Sequence, residues 1–269
     1  RAAKTERRRS MERFEVASQA IRTAGEALRR CHLEAEEIRQ KADHQDLVTY
    51  WDRRTERLLR REILAASPQD SIVGEEYPPE EHGAEEVTWY LDPIDGTTNF
   101  INQHRNYAIS VGCWSGTAPL FGMVLDVKRQ ELYWAKAGGG AWRDQRPIHV
   151  SDRTRVPELL MTTPEVLHAF LKQHPQREAL IRLAREVRGV RSLGSVALEL
   201  CQVAAGEADL FVALRSSPWD HNAARIILEE AGGVCCALSG RSLPVGEKSA
   251  VLAANSDAVL REVQTACCK

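Results

Sequence analysis

Trp89-Tyr90-Leu91-Asp92-Pro93-Ile94-Asp95-Gly96-Thr97-Thr98-Asn99-Phe100 is the stretch that decides the reading of this chain. Val87, Trp89 and Leu91 form an apolar, β-prone run that reads as a buried strand. The strand is expected to end at Asp92-Pro93, because proline donates nothing to a ladder and pushes its predecessor away from helix. Asp95-Gly96 then permits a tight turn, and Thr97-Thr98 offers hydroxyls and free amides where a helix can begin. Asp92 and Asp95 flank the Ile94 carbonyl, three oxygen donors of the kind a hard cation such as Mg²⁺ takes. The Gly96 and Thr97 amides suit a phosphate beside that cation. A polar turn with no ligand would use the same residue types.

Three further stretches bear on the choice. Ser71-Ile72-Val73-Gly74-Glu75-Glu76 reads as a short strand ending in two acids, which on its own is ordinary surface decoration. Trp219-Asp220, followed by Ala223, Ala224 and Glu229…Ala231-Gly232-Gly233, reads on its own as an acid complementing a helix dipole. Lys41…Asp46-Leu47-Val48-Thr49…Asp52 precedes a helix, and Asp46 alone would be a helix cap.

Together, and in their order along the chain, the four stretches resemble the inositol monophosphatase superfamily. The likeness runs over nearly the whole chain from Met11. It implies a layered αβαβα sandwich of the sugar-phosphatase type, α+β and α/β in character, with a homodimer, lithium sensitivity and two or three Mg²⁺ ions per site, Mn²⁺ being a substitute. By the same resemblance, Glu75, Asp92 and the Ile94 carbonyl hold one cation, and Asp92, Asp95 and Asp220 hold another. Glu75 and Thr97 orient and deprotonate water, with Asp95 also catalytic. Gly96 and Thr97 hold the phosphate, and Gly194, Ser195 and Val196 pack against the sugar or cyclitol beside Glu75, Ile94, Asp95 and Asp220. Glu76, Lys41, Asp46, Thr49, Asp52 and Thr98 support the ligands from behind or line the loop over them.

The reaction so implied is hydrolysis of a small polyol phosphate, most readily myo-inositol 1-phosphate. Inositol-selective members carry a Glu where an ungapped alignment puts Ala213. Arg215, close by, could take a second anionic group or lie at a subunit contact. Histidinol-phosphate or another sugar-phosphate phosphatase is therefore an alternative. A regulatory or interaction protein retaining the fold is another.

Composition is compatible with this reading. The chain has 269 residues, 43% hydrophobic and 28% charged, enough for one large core. It has no apolar run approaching the ~20 residues that span a bilayer. Residues 1–10 carry five cations and one acid and read as a cloning remnant or a disordered extension, with Met11 a plausible start. The rest is mildly acidic, no footprint for nucleic acid, and its arginines at 53, 54, 57, 60 and 61 read as a solvated helix face. Seven cysteines without a C-x-x-C pattern suggest neither zinc nor a redox motif, and point to a reduced cytoplasmic setting. His221 reads as packing or support for Asp220 rather than as a ligand.

Phe14, Ala17, Ile21, Ala24, Leu28 and Cys31 form the stripe of an amphipathic helix, and a second helix is expected from near Asp46 to Pro68. Runs over 107–114, 120–127 and 132–135 predict an antiparallel meander. Gly138-Gly139-Gly140 reads as a hairpin corner rather than a phosphate loop. An N-terminal α+β half over 11–149 therefore precedes an α/β half over 150–269. In the second half, strands are expected at 159–162, 209–214, 234–237 and 250–253. Helices are expected at 165–172, 177–187, through 198–205, from Pro218 to Ala231, and at 257–263.

Overall fold

A computed structural model describes residues 2–31, 38–40, 47–80, 87–164 and 177–267. Lys41, Asp46 and the helix expected at 165–172 lie outside them. The elements run α1 (Ala2–Arg30), β1 (Ile38–Gln40), β2 (Leu47–Thr49), α2 (Tyr50–Ala66), β3 (Ser71–Gly74), β4 (Val87–Asp95) and α3 (Thr97–Gln103). The meander follows as β5 (Ala108–Ser115), β6 (Ala118–Asp126), β7 (Glu131–Lys136), β8 (Ala141–Arg143) and β9 (Arg146–Ile148). Then come β10 (Leu160–Thr162), α4 (Arg177–Glu186), β11 (Gly189–Arg191), α5 (Val196–Ala204), β12 (Leu210–Ser216), α6 (Pro218–Glu230), β13 (Val234–Ala237), β14 (Ser249–Ala254) and α7 (Asp257–Cys267).

Strands β3 to β9 lie in sequence order in one sheet, with only the β3–β4 pair parallel. The second sheet has the order β11-β10-β12-β14-β13 and is parallel on one side, antiparallel on the other. Because strand side chains alternate, each sheet buries both faces. Trp89, Leu91, Val111 and Phe121 face Ile21, Leu28, Leu59 and Ile63 of α1 and α2. Tyr90, Val124 and Tyr133 face the opposite way, into a core with Leu200 of α5 and Ile227 of α6 that also takes Phe211, Ala213 and Val251 of the second sheet. Leu210, Val212 and Leu252 turn to Leu180 of α4 and Val259 of α7. The layers are thus α, β, α, β, α.

Three expectations need correction. Residues 2–10 continue α1 rather than forming a disordered extension. The second helix starts at Tyr50, capped by Thr49 and not by Asp46, because residues 47–49 pair with β1 in a two-stranded ribbon. β4 runs on through Pro93: its pairing to β5 passes from Asp92↔Ser110 to Asp95↔Ala108, so three steps on one strand match two on the other. Such a bulge is where a strand tolerates proline, and it re-aims the residues around it.

One contact sets the position of α6. Gly112 and Gly122 are register partners on β5 and β6. A Cβ on Gly122 would lie 2.2 Å from the Ala223 carbonyl oxygen, and one on Gly112 3.0 Å from the Ala223 nitrogen. The helix backbone rests on bare strand backbone there, one turn after Asp220. Gly122→Ala is expected to push the helix off the sheet and to cost about 1–3 kcal/mol, as overpacking does. Denaturant unfolding measures it, and an unchanged midpoint would contradict this packing.

Candidate active site

The bulge in β4, the start of α2, the end of β3 and the start of α6 each deliver an acid to one region. Asp52 is the third residue of α2, and its Oδ2 accepts from Thr49 N at 2.7 Å and Thr49 Oγ at 2.6 Å. Its other oxygen, Oδ1, lies 3.1 Å from Thr97 Oγ. Asp92 turns Oδ1 onto Ile94 N at 3.0 Å, and its other oxygen has no bond among the described residues. Asp220 accepts Ser217 N at 2.7 Å through Oδ2. The peptide before Asp220 is held in turn, as Ser110 Oγ donates to Trp219 O at 3.3 Å.

Asp95 is held hardest. Ser195 Oγ and Ala197 N reach its Oδ2 at 2.5 and 2.7 Å, and Val196 N reaches Oδ1 at 3.3 Å. One carboxylate of the first sheet therefore satisfies the free amides that open α5. Gly96 (φ 92°) and Gly194 (φ 78°) let the two chains pass, since a Cβ on Gly96 would sit 3.2 Å from the Gly194 oxygen. Asn99 Nδ2 closes the joint by donating to Leu193 O at 2.6 Å and Asn106 O at 2.9 Å.

Glu75 follows β3, and its charge acts on Asp52, Asp92, Asp95 and Asp220. Glu56 supports it from below: its Oε2 accepts Glu76 N at 2.7 Å and its Oε1 accepts Arg60 Nε at 2.8 Å. A Cβ on Gly74 would fall 2.1 Å from Glu56 Oε1, which is why glycine precedes the paired acids.

Burial and mutual repulsion set the electrostatics. Burial, then the charges of Glu75, Asp95, Asp220 and Asp52, hold Asp92 well above the usual carboxylate range. Burial, then Asp95, does the same to Asp220. Burial pushes Asp52 and Asp95 up to about 6 each, against the hydrogen bonds they accept. His221 is completely buried with Nδ1 2.9 Å from Ser216 Oγ, and burial lowers it to about 4, so it is neutral and supports the Asp220 turn. Among the described residues, no three acid, His or Cys side chains close tightly enough to hold a cation as they stand. Like charges kept apart by their own backbone bonds account for the difference from a ready-made cage. The donor set nevertheless fits a hard divalent cation: carboxylates and a carbonyl, and repulsion that positive charge would relieve.

Several expected roles shift. The Ser195 hydroxyl is bonded to Asp95 and 1% exposed, so it is not presented to a ligand. Val196 is part of the core, while Gly194 stays at the loop surface with backbone alone. Thr98 is exposed, and its buried neighbour Asn99 does the tying instead. Glu76 lies 4.0 Å from Arg53 Nε through Oε2. Gly138 and Gly140 donate to the two oxygens of Glu230, which confirms a hairpin corner there. Ala213 is buried in β12, and Arg215 is exposed beyond it at a break in register with β14. Asn99, Glu56 and Glu199 are missed by the sequence reading. Asn99 stands inside the deciding stretch without a role read for it, and the two glutamates read as ordinary helix acids.

Comparison with known proteins identifies the arrangement. The sequence matches the inositol monophosphatase family over residues 10–267. An inositol-1-monophosphatase of Bacillus subtilis is 36% identical over 242 residues, 90% of this chain and 91% of the relative. The solved inositol monophosphatase from Anabaena (Nostoc) matches with a TM-score of 0.78 at 30% identity, covering 94% of this chain and 93% of that one. The extragenic suppressor protein suhB from Bartonella henselae matches with a TM-score of 0.84 at 26% identity, covering 96% and 98%. The chain belongs to the inositol monophosphatase family. It is a phosphatase that hydrolyses phosphate monoesters. No helix among the described residues is long and apolar enough to cross a membrane.

The crowding of acids has a consequence for stability. Asp52 and Asp95 bind protons in the native state up to about pH 6, whereas the unfolded chain releases them near 4. Native protein then binds more protons than unfolded protein, so this contribution to stability is complete below about pH 4 and lost as pH rises through about 6. With a chelator present, the melting midpoint is expected to fall between about pH 5 and pH 7. A midpoint that stays level or climbs over that interval would refute it.

Proposed function

We propose that the chain is a magnesium-dependent phosphatase of small polyol phosphates, with myo-inositol 1-phosphate its foremost substrate and water the direct nucleophile. The observation that carries this reading is the Thr97 hydroxyl, 3.1 Å from Asp52 Oδ1 and 3.0 Å from the Ile94 carbonyl. The name of the Bacillus subtilis relative supports the substrate.

In this reading Glu75, Asp92 and the Ile94 carbonyl would hold one cation, and Asp92, Asp95 and Asp220 a second, with Mn²⁺ a possible substitute for Mg²⁺ and Glu75 open to a third. When bound, such cations supply charge that polarises the phosphoryl group and eases deprotonation of water. The rest falls to the chain. Thr97 has one hydroxyl proton and two acceptors within reach. Donation to Asp52 leaves the Ile94 carbonyl lone pairs free and turns the Thr97 oxygen into an acceptor for the attacking water. Water passes one proton to the Thr97 oxygen as the Thr97 hydroxyl proton moves to Asp52 Oδ1, and Glu75 helps to orient that water. Gly96 and Thr97 amides point the phosphoryl oxygens, which is most of what a protein contributes to such a transfer. Asp95 would offer a cation its less strongly bonded oxygen, Oδ1, while Oδ2 stays with α5.

Ala213 offers no acceptor to a ring hydroxyl, and hydroxyl selectivity rests on paired hydrogen bonds. The substrate panel therefore includes inositol 1-phosphate, histidinol phosphate, glycerol 2-phosphate and fructose 1,6-bisphosphate. Phosphate release is expected with Mg²⁺ and none with EDTA, fastest from inositol 1-phosphate. Thr97→Val is expected to lower kcat by about a hundredfold or more, within the range of acid–base groups, with little change in KM. Release from none of the four would favour an interaction protein retaining the fold. A homodimer in the cytoplasm completes the reading, and sedimentation tests the first half of it.

A further inference from the structure

We infer that Glu199 is a positioning residue for this phosphatase site: its buried carboxylate fixes the Leu193-Gly194 turn and, through it, the seating of the α5 amides on Asp95. The inference rests on the reading of the site given above. Glu199 lies in the first turn of α5 and is completely buried. One of its oxygens, Oε1, accepts two successive backbone amides, Leu193 N at 2.6 Å and Gly194 N at 3.0 Å.

The segment 193–198 is therefore bound from two sides. Glu199 takes the amides of Leu193 and Gly194, Asp95 takes those of Val196 and Ala197, and the Ser195 hydroxyl takes that of Leu198 at 3.3 Å. Among the described residues nothing else accepts the first two. Without Glu199 those two amides, in a half-buried turn, have no partner inside the protein and must take one from water. The turn would have to open toward water. Leu193 O would then leave Asn99, and the Gly194 carbonyl would leave its place against Gly96, beside the Thr97 amide.

The second oxygen of Glu199 has no well-formed hydrogen bond. It faces the Thr162 hydroxyl, which has none either. Burial, together with the charge on Asp95, pushes the carboxyl up to about 7. A glutamine can therefore stand in: its carbonyl oxygen keeps both amides and its NH₂ can donate to Thr162. Alanine cannot.

The test uses the full chain with Mg²⁺ and whichever panel ester wild type hydrolyses fastest. Glu199→Ala is expected to raise KM by about tenfold, the scale on which a misplaced binding loop acts, and Glu199→Gln to return it to within about threefold. A loss of folded fraction alone would lower apparent kcat and leave KM where it was. Wild-type KM in Glu199→Ala, or equal impairment in the two variants, would overturn the inference. If Glu199→Ala fails to fold, Glu199→Asp is read in its place, since the shorter acid cannot span both amides; a raised KM supports the inference and an unchanged KM overturns it. Amide hydrogen exchange over 190–200 gives a readout independent of turnover. Faster exchange in Glu199→Ala than in Glu199→Gln is expected even if wild type proves inactive, an outcome that would remove only the phosphatase reading. Equal exchange in both would remove the inference.

Discussion

Five carboxylates of like charge, from Asp52, Glu75, Asp92, Asp95 and Asp220, act on one another in a largely buried region, and much of the architecture counters that repulsion. Each aspartate is anchored by backbone amides of its own turn or of a neighbouring helix start: Asp52 by Thr49, Asp92 by Ile94, Asp220 by Ser217 and Asp95 by Val196 and Ala197. Helix starts and bulges carry amides that the regular ladders leave free, so they are where buried acids can be held. The acids and the chain ends therefore satisfy each other's needs. Positive charge is the remaining requirement, and the oxygen-rich donor set accepts it in the form of hard cations.

The joint between the two sheets is built from the same economy. Asp95, Gly96 and Asn99 come from the first half of the chain, and residues 193–197 come from the second. Hydrogen bonds across this seam link residues nearly a hundred positions apart. Glycines at 96, 112, 122 and 194 remove the side chains that would hold backbones apart at the seam and under α6. The geometry of the site is thus a property of the packed layers, and no single loop carries it. Rigid placement of this kind is what phosphoryl transfer asks of a protein.

In the proposed function, substrate choice would lie beyond the acids. The side of β12 next to the site offers buried Ala213, then Arg215 in solvent. In the proposed function the acids serve the phosphate and its water, and so would not select the leaving group. Family membership carries the phosphatase class, and in the proposed function selectivity would fall to residues beyond the acids.

Much of the fold was legible in the residues alone. The meander strands and the helices at 177–186, 196–204, 218–230 and 257–267 all lie close to where periodicity and turn residues put them. The Asp-Pro-Ile-Asp-Gly-Thr run announced the acids and the turn that holds them, since both are local. The bulge that carries β4 past Pro93, the three-residue strands of the β1–β2 ribbon, and the choice of Asn99 over Thr98 as the tie were not legible. Nor were Glu56 and Glu199, which look like ordinary helix acids until the loops they support fold over them. Sequence by itself determined the family and roughly where each element lay. Which oxygen faces which amide was decided only by tertiary structure, because hydrogen bonds between distant segments leave no periodicity or spacing to read.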